Sequence, residues 1–131
     1  MKNIPIGITA EFSQTVEKSM LAVNVGSGSL EVFATPAMAV LMEKVSCICI
    51  AEYLENDETT VGTEINIKHI SATPENMTVT VKSEVTEVNG REITFRCEAF
   101  DDTGKIGECV HKRFLVYGKK FTEKAKAKKS S

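Results

Sequence analysis

The chain lacks the segments that would direct a protein to or across a membrane. Its start shows no charged, apolar and small-residue succession of the kind that marks a secretory signal. Its longest apolar run is interrupted at Glu43 and Lys44, before it could span a bilayer. We therefore expect a soluble, cytoplasmic protein that does not act at a membrane.

The sequence also lacks metal-binding and disulfide patterns. It has four cysteines and two histidines, but no CxxC pair and no cysteine–histidine spacing typical of zinc. These residues are Cys47, Cys49, Cys97, Cys109, His69 and His111. We expect free, mostly buried thiols and no zinc site.

Positive charge is scarce in most of the chain. From Lys119 onward, six lysines and one glutamate give a net charge of +5, which leaves −7 on residues 1–118 of the total of −2. An acidic body offers no basic face for nucleic acid. With 131 residues, 42% of them hydrophobic, the chain fits one domain over residues 1–118. Residues 119–131 are expected to form a basic, disordered tail.

One long helix is predicted over residues 36–54. Thr35 and Pro36 form a favourable start, since a threonine hydroxyl can cap a free amide and proline at the first position loses no hydrogen bond. The segment is apolar on nearly every side, which predicts a helix that is enclosed. Before it, residues 11–25 are predicted to be extended and residues 26–29 to form a loop.

After the helix the periodicity changes to two, which is typical of strands. Residues 61–69 place Val61, Thr63, Ile65, Ile67 and His69 on one face. Residues 77–88, 92–100 and 105–117 follow as strands joined by the turns at Asn89-Gly90 and 101–104. Three consecutive strands preceded by a fourth predict an antiparallel meander with one apolar face.

This order of elements predicts an α+β protein with the hot-dog fold, in which an antiparallel sheet wraps around one long central helix. A sheet of this kind leaves an exposed edge and residual apolar surface. We therefore expect a homodimer with the site at or near the subunit interface.

Three polar residues stand out against this apolar background, and each has a structural alternative. Thr35 can be a helix cap, His69 a histidine bonded to a carbonyl at the edge of the core, and Glu43 part of a solvated strip with Lys44. An unpaired buried carboxylate costs several kcal/mol, so such a group is normally paired, protonated or functional. A hydroxyl, a carboxylate and an imidazole are together the groups that acyl transfer needs.

The runs "GSGSLEVFATPAMAVLME", "VGTEINIKHISATP" and "GECVHKRFLV" resemble the fluoroacetyl-CoA thioesterase family of hot-dog proteins, up to about Tyr117. The resemblance implies hydrolysis of an acyl-CoA thioester to CoA and a free acid, with no metal or redox cofactor and with coenzyme A only as part of the substrate. It places the catalytic set of the family on Thr35, Glu43 and His69. It also matches Gly62 to a family glycine and Arg113 to an arginine that helps to close the site.

Residues 24–30 read "NVGSGSL" and hold no aromatic side chain, whereas the fluoroacetate-specific member carries phenylalanines there as a lid. A short-chain acyl-CoA is therefore the expected substrate class. Lys68, Lys112 and Arg113 are candidate contacts for CoA phosphates. An enoyl-CoA hydratase and a non-catalytic acyl-CoA-binding protein are the alternative functions.

Overall fold

The computed structural model describes residues 1–130, and Ser131, the end of the expected tail, lies outside the described residues. Within this range one sheet carries a sixteen-residue helix on one face. The strands are β1 (Thr9–Thr15), β2 (Glu58–His69), β3 (Thr78–Asn89), β4 (Glu92–Asp101) and β5 (Gly104–Tyr117). The α-helices are α1 (Ala22–Val25), α2 (Thr35–Ile50) and α3 (Gly118–Lys126), with 3-10 turns at Lys18–Met20, Ala51–Tyr53 and Ala127–Ser130.

The sheet is antiparallel, with the strand order β1-β3-β4-β5-β2. Strands β3, β4 and β5 form the expected meander, but the expectation that β2 continues it in sequence order is wrong. Strand β2 pairs with β5 at the far edge, from Glu58 opposite Tyr117 to His69 opposite Gly107. The eight residues 70–77 between β2 and β3 are too many for a tight turn and reach about 26 Å when extended, enough to cross the three intervening strand spacings of about 4.8 Å each.

Helix α2 begins one residue earlier than predicted and ends at Ile50, where a 3-10 turn covers Ala51–Tyr53. Pro36 lies in its first turn, where the missing N–H leaves no bond unmade. Its buried face packs onto the sheet, which supplies the valines of β3 together with Phe95 and Cys97 of β4. The buried helix residues are Met38, Leu41, Met42, Val45, Ser46, Cys49 and Ile50. None of the helices within residues 1–130 has the length and hydropathy that a membrane crossing requires.

The opposite face of α2 is open, so the expected burial on all sides is wrong for the single chain. Val40 is 61% exposed and Ile48 is 48% exposed. Lys44 also lies on the surface, where its Nζ atom is 4.1 Å from the centre of the Phe12 ring. The five strands cover only one side of the helix, and an apolar strip remains in contact with solvent.

The two ends of the domain also differ from the sequence predictions. The first strand stops at Thr15, and residues 16–25 turn through the 3-10 segment and α1 instead of remaining extended. The described part of the tail is helical, where disorder was expected. Its start is held by Asp57, whose carbonyl accepts from Gly118 N at 2.9 Å and whose Oδ2 accepts from Lys119 N at 3.0 Å.

The cysteines agree with the sequence interpretation. All four are free thiols, and Cys49, Cys97 and Cys109 are buried while Cys47 is partly exposed.

Two strand valines test how the core holds the sheet. Val81 is fully buried and lies opposite Phe12 and Ala99, whereas Val110 is 45% exposed on the outer face. We expect Val81→Ala to lower the free energy of unfolding by about 2 kcal/mol, because it removes buried methyl groups and leaves a cavity. Val110→Ala is the matched control and should lower it by less than about 1 kcal/mol. Equal urea-unfolding losses for the two variants would contradict this assignment of the core.

Candidate active site

The first group of polar residues forms where α2 begins. The preceding loop is pinned by the bonds from Phe33 N to Thr73 O (2.8 Å) and from Ala34 N to Met20 O (2.9 Å). Ala34 is the N-cap residue of α2, and none of the described side chains caps the helix. The structural alternative for Thr35, a role as the helix cap, is therefore wrong. Its Oγ1 instead lies 2.7 Å from His69 Nδ1, within hydrogen-bond distance.

His69 is the last residue of β2 and is half-buried. Its Nε2 atom is buried and has no hydrogen-bond partner among the described residues. The Phe33 ring meets the imidazole edge-on, at 6.4 Å between ring centres. Burial lowers the pKa of His69, and a hydrogen bond with the Ser71 backbone opposes this shift. A neutral imidazole is the form that can accept a proton.

A groove of about 330 Å³ opens beside this pair. Its walls come from the loop before α2 and from residues 70–72 after β2, and both Thr35 and His69 line it. Both side chains thus line the groove, and the His69 Nε2 atom itself is buried behind it.

A second group surrounds the guanidinium of Arg113, which is only 7% exposed. Arg113 Nε donates to Thr60 Oγ1 at 2.8 Å, and Nη2 donates to Thr60 O at 3.0 Å. Nη1 donates to Glu43 Oε2 at 3.2 Å and lies 3.1 Å from His111 Nε2. Glu43 is therefore ion-paired and partly exposed, rather than enclosed by the fold as the sequence suggested.

His111 is 1% exposed and stacks on Phe95, with 6.0 Å between ring centres. Its Nδ1 atom lies 2.8 Å from Glu64 O. Burial lowers the pKa of His111, and the Arg113 charge lowers it further, while the bond to Glu64 and the charge of Glu43 act in the opposite direction. We therefore treat this imidazole as neutral near pH 7.

Gly62 makes room for the second group. A Cβ atom at this position would lie 2.8 Å from Glu43 Oε2 and 3.3 Å from both Arg113 Nη1 and His111 Cε1. The register of β2 against β5 also shifts between Gly62 and Glu64, which is a β-bulge at Thr63. The prediction that Val61, Thr63 and His69 share one face of β2 is therefore wrong. A bulge reverses the inward and outward alternation of side chains, so residues before it and residues after it no longer follow one period-two pattern.

The structure thus brings Thr35 to His69, and Glu43 to Arg113, but it does not join the two pairs. Eight residues of α2 separate Thr35 from Glu43, about 12 Å along the helix axis. Lys68 and Lys112 alternate with His69 and Arg113 and lie on the outer face of the sheet, away from both pairs. Within residues 1–130 no three His, Cys, Asp or Glu side chains are placed to hold a metal ion.

Sequence reasoning missed His111 and Thr60. His111 was considered only as a zinc ligand, although the period-two pattern of β5 places it on the same face as Cys109, Arg113 and Leu115. A histidine and an arginine in phase with buried apolar residues were the available signal. Nothing in the sequence of β2 marks Thr60 as their partner.

The antiparallel five-stranded sheet over one long helix is the hot-dog fold of the thioesterase superfamily, as two solved neighbours show. A solved structure of a Thermus thermophilus member of that superfamily is 25% identical, covers 99% of this chain and 96% of its own, and has a TM-score of 0.92. The structure of the fluoroacetyl-CoA thioesterase FlK is 32% identical, with 97% and 98% coverage and a TM-score of 0.91.

The sequence comparisons narrow the class further. The family described as fluoroacetyl-CoA-specific thioesterase matches residues 16–119. The fluoroacetyl-CoA thioesterase of Streptantibioticus cattleyicolor is 41% identical over 98 residues, which are 75% of this chain and 70% of that protein. The chain belongs to the fluoroacetyl-CoA-specific thioesterase family.

Adding one methyl group at Gly62 should displace the carboxylate without unfolding the protein. The first atom that a new Cβ meets is the end of the flexible Glu43 side chain. We expect a crystal structure of Gly62→Ala to show Glu43 Oε2 moved away from Arg113 Nη1. Gly28→Ala is the control, because its Cβ would meet only Ala22 Cβ at an ordinary 3.5 Å. An unchanged ion pair in Gly62→Ala would show that the position of the Glu43 carboxylate does not depend on the absence of a side chain at residue 62.

The two buried histidines predict how stability depends on pH. Both have a pKa lowered in the folded state, so below about pH 6.5 the unfolded chain binds more protons than the folded one. We expect the free energy of unfolding to be level above about pH 6.5 and to fall as the pH decreases below it. Urea unfolding of the wild type and of His111→Gln at about pH 7.5 and 5.5 measures this. A decrease of equal size in both proteins would exclude a contribution from His111.

Proposed function

We propose that this protein is an acyl-CoA thioesterase that hydrolyses a short-chain acyl-CoA to CoA and a free acid. The observation that carries the proposal is the 2.7 Å contact between Thr35 Oγ1 and His69 Nδ1, in an imidazole whose buried Nε2 has no partner within residues 1–130. Membership of the family and the groove beside this pair support it.

His69 serves as the base and proton relay. It takes a proton from the attacking hydroxyl, which is that of Thr35 or of a water molecule, while the oxygen bonds to the thioester carbonyl carbon. The C–S bond then breaks, and the proton passes to the CoA sulfur. If Thr35 attacks, a water molecule afterwards hydrolyses the acyl-threonine ester in the same way. Every step transfers a proton or an acyl group, so the reaction balances without a metal or redox cofactor.

Glu43 is the second acid–base group of the site, and Arg113 keeps its carboxylate oriented toward Gly62. The positive partial charge at the start of α2 suits the oxyanion that forms from the thioester carbonyl. Lys68 and Lys112 lie on the outer face, where they are candidate contacts for the CoA phosphates. Arg113 is assigned to the Glu43 carboxylate and not to the phosphates.

The substrate class is a short acyl-CoA, and specificity for fluoroacetyl-CoA is not part of the proposal, since residues 24–30 hold no aromatic side chain. A single-residue variant of FlK has been solved in complex with acetyl-CoA; it is 32% identical to this chain, with a TM-score of 0.90 and coverage of 95% of this chain and 98% of its own. Acetyl-CoA is therefore the first substrate to test.

The proposal includes a homodimer of the domain formed by residues 1–118, acting in the cytoplasm. Two features support the dimer: the exposed apolar strip of Val40 and Ile48 on α2, and the unpaired edge of β2. The proposal has the second subunit contribute to the site, since within one chain Thr35 and Glu43 lie about 12 Å apart along α2. Sedimentation measurements decide the oligomeric state.

The test is thiol release from acyl-CoAs of graded length. We expect turnover with short chains, and a loss of roughly 100-fold or more in kcat for His69→Gln and for Glu43→Gln, because each removes a proton-transfer group without changing the size of the side chain much. Glu84→Gln, an exposed glutamate of β3, is the matched control and should retain wild-type turnover.

Other results would favour the alternatives. Loss of the conjugated absorbance of crotonyl-CoA without thiol release would indicate an enoyl-CoA hydratase. Stabilisation against heat by acyl-CoA without any turnover would indicate a binding protein.

A further inference from the structure

The two partners of His111 determine where its proton lies. Glu64 O can only accept a hydrogen bond, so the Nδ1 atom 2.8 Å away must carry a hydrogen. A guanidinium can only donate, so the Nε2 atom 3.1 Å from Arg113 Nη1 must present its lone pair. Both contacts are made only by the neutral imidazole protonated at Nδ1.

This lone pair is one of four acceptors around Arg113. Nε and Nη2 are held by Thr60, and the two hydrogens of Nη1 point to His111 Nε2 and to Glu43 Oε2. The guanidinium is planar, so fixing Nη1 at His111 also fixes the direction of its bond to Glu43. The imidazole itself is held by Phe95 and by the carbonyl at the β2 bulge.

We propose that His111 is a positioning residue, which through its Nε2 lone pair holds Arg113 in the orientation that fixes the Glu43 carboxylate beside Gly62. The proposal rests on the thioesterase function proposed above. It adds a residue that contacts neither Thr35 nor His69. The charged groups that face His111 are Arg113 and Glu43, and Phe95 covers its other side.

Loss of the Nε2 acceptor would leave one Nη1 hydrogen unpaired in a site where Arg113 is almost fully buried. Thr60 would still hold Nε and Nη2, but Nη1 would shift toward another acceptor, and the carboxylate would lose its fixed position. Misplacement of a reacting group by about 1 Å can lower the rate by about 100-fold. The expected effect is therefore on kcat rather than on KM.

Two variants that both carry a side-chain amide, but at different lengths, separate the roles of the two ring nitrogens. In H111Q the amide oxygen can occupy the place of Nε2 and accept from Arg113. In H111N the shorter amide can replace Nδ1 and donate to Glu64 O, but it cannot reach Arg113. We expect H111N to lower kcat by about 10- to 100-fold with little change in KM. H111Q should restore most of this loss, and the two should become equal in an R113M background.

Equal kcat values for H111N and the wild type would overturn the inference while leaving the thioesterase function intact. So would equal losses in H111N and H111Q when both fold, because a merely structural histidine would not distinguish the two amides. Unfolding midpoints of both variants are measured alongside.

Two measurements do not depend on turnover. Crystal structures should show Arg113 Nη1 within hydrogen-bond distance of Glu43 in H111Q and displaced in H111N, and an unchanged contact in both would overturn the inference even if the wild type released no thiol. Nitrogen-15 NMR of the wild type near pH 7 should show the neutral Nδ1–H form of His111. The Nε2–H form or an imidazolium would overturn the inference, and this measurement does not require either variant to fold.

Discussion

The ion pair between Arg113 and Glu43 is the constraint on which the arrangement of this site depends. It ties the long helix to the last strand across positions 70 residues apart, and it lets a carboxylate sit against the sheet without being left as an unpaired charge. Thr60 binds the rest of the guanidinium, so the arginine also connects β2 to β5. Sliding of the helix along the sheet would break the bond between Glu43 and Arg113, so the ion pair opposes it.

The irregularities of β2 place the polar groups that surround this ion pair. Gly62 gives space where any side chain would meet Glu43, and the bulge at Thr63 changes which residues face the helix. Thr60 therefore faces inward on one side of the bulge, and His69 reaches the start of α2 on the other. A regular strand would place one of these two residues on the outer face.

The sequence predicted the long helix and the strands of the meander, because apolar periodicity is a local signal, and the catalytic roles of Thr35, Glu43 and His69 stay a prediction. It did not predict that β2 crosses to the β5 edge, since strand order depends on contacts distant in sequence. The phase error at Thr63 and the missed role of His111 have the same origin. The signal for the bulge was the isolated glycine in the strand run "TVGTEIN", which marks a bulge or a close approach without saying which. The hydrogen-bond roles of a histidine follow from partners that only the folded chain brings near.

The bulge at Thr63 has a further consequence for how the protein behaves at high concentration. Strand β2 has twelve residues and lies at the edge of the sheet, where a flat row of free amide and carbonyl groups would recruit strands of other molecules. A bulge bends and twists the strand, which interrupts that row, and the exposed Glu64 and Lys68 add charges along it. The same irregularity that shapes the site thus limits open-ended addition of strands at this edge, while the bent edge can still pair with one copy of itself in the proposed homodimer.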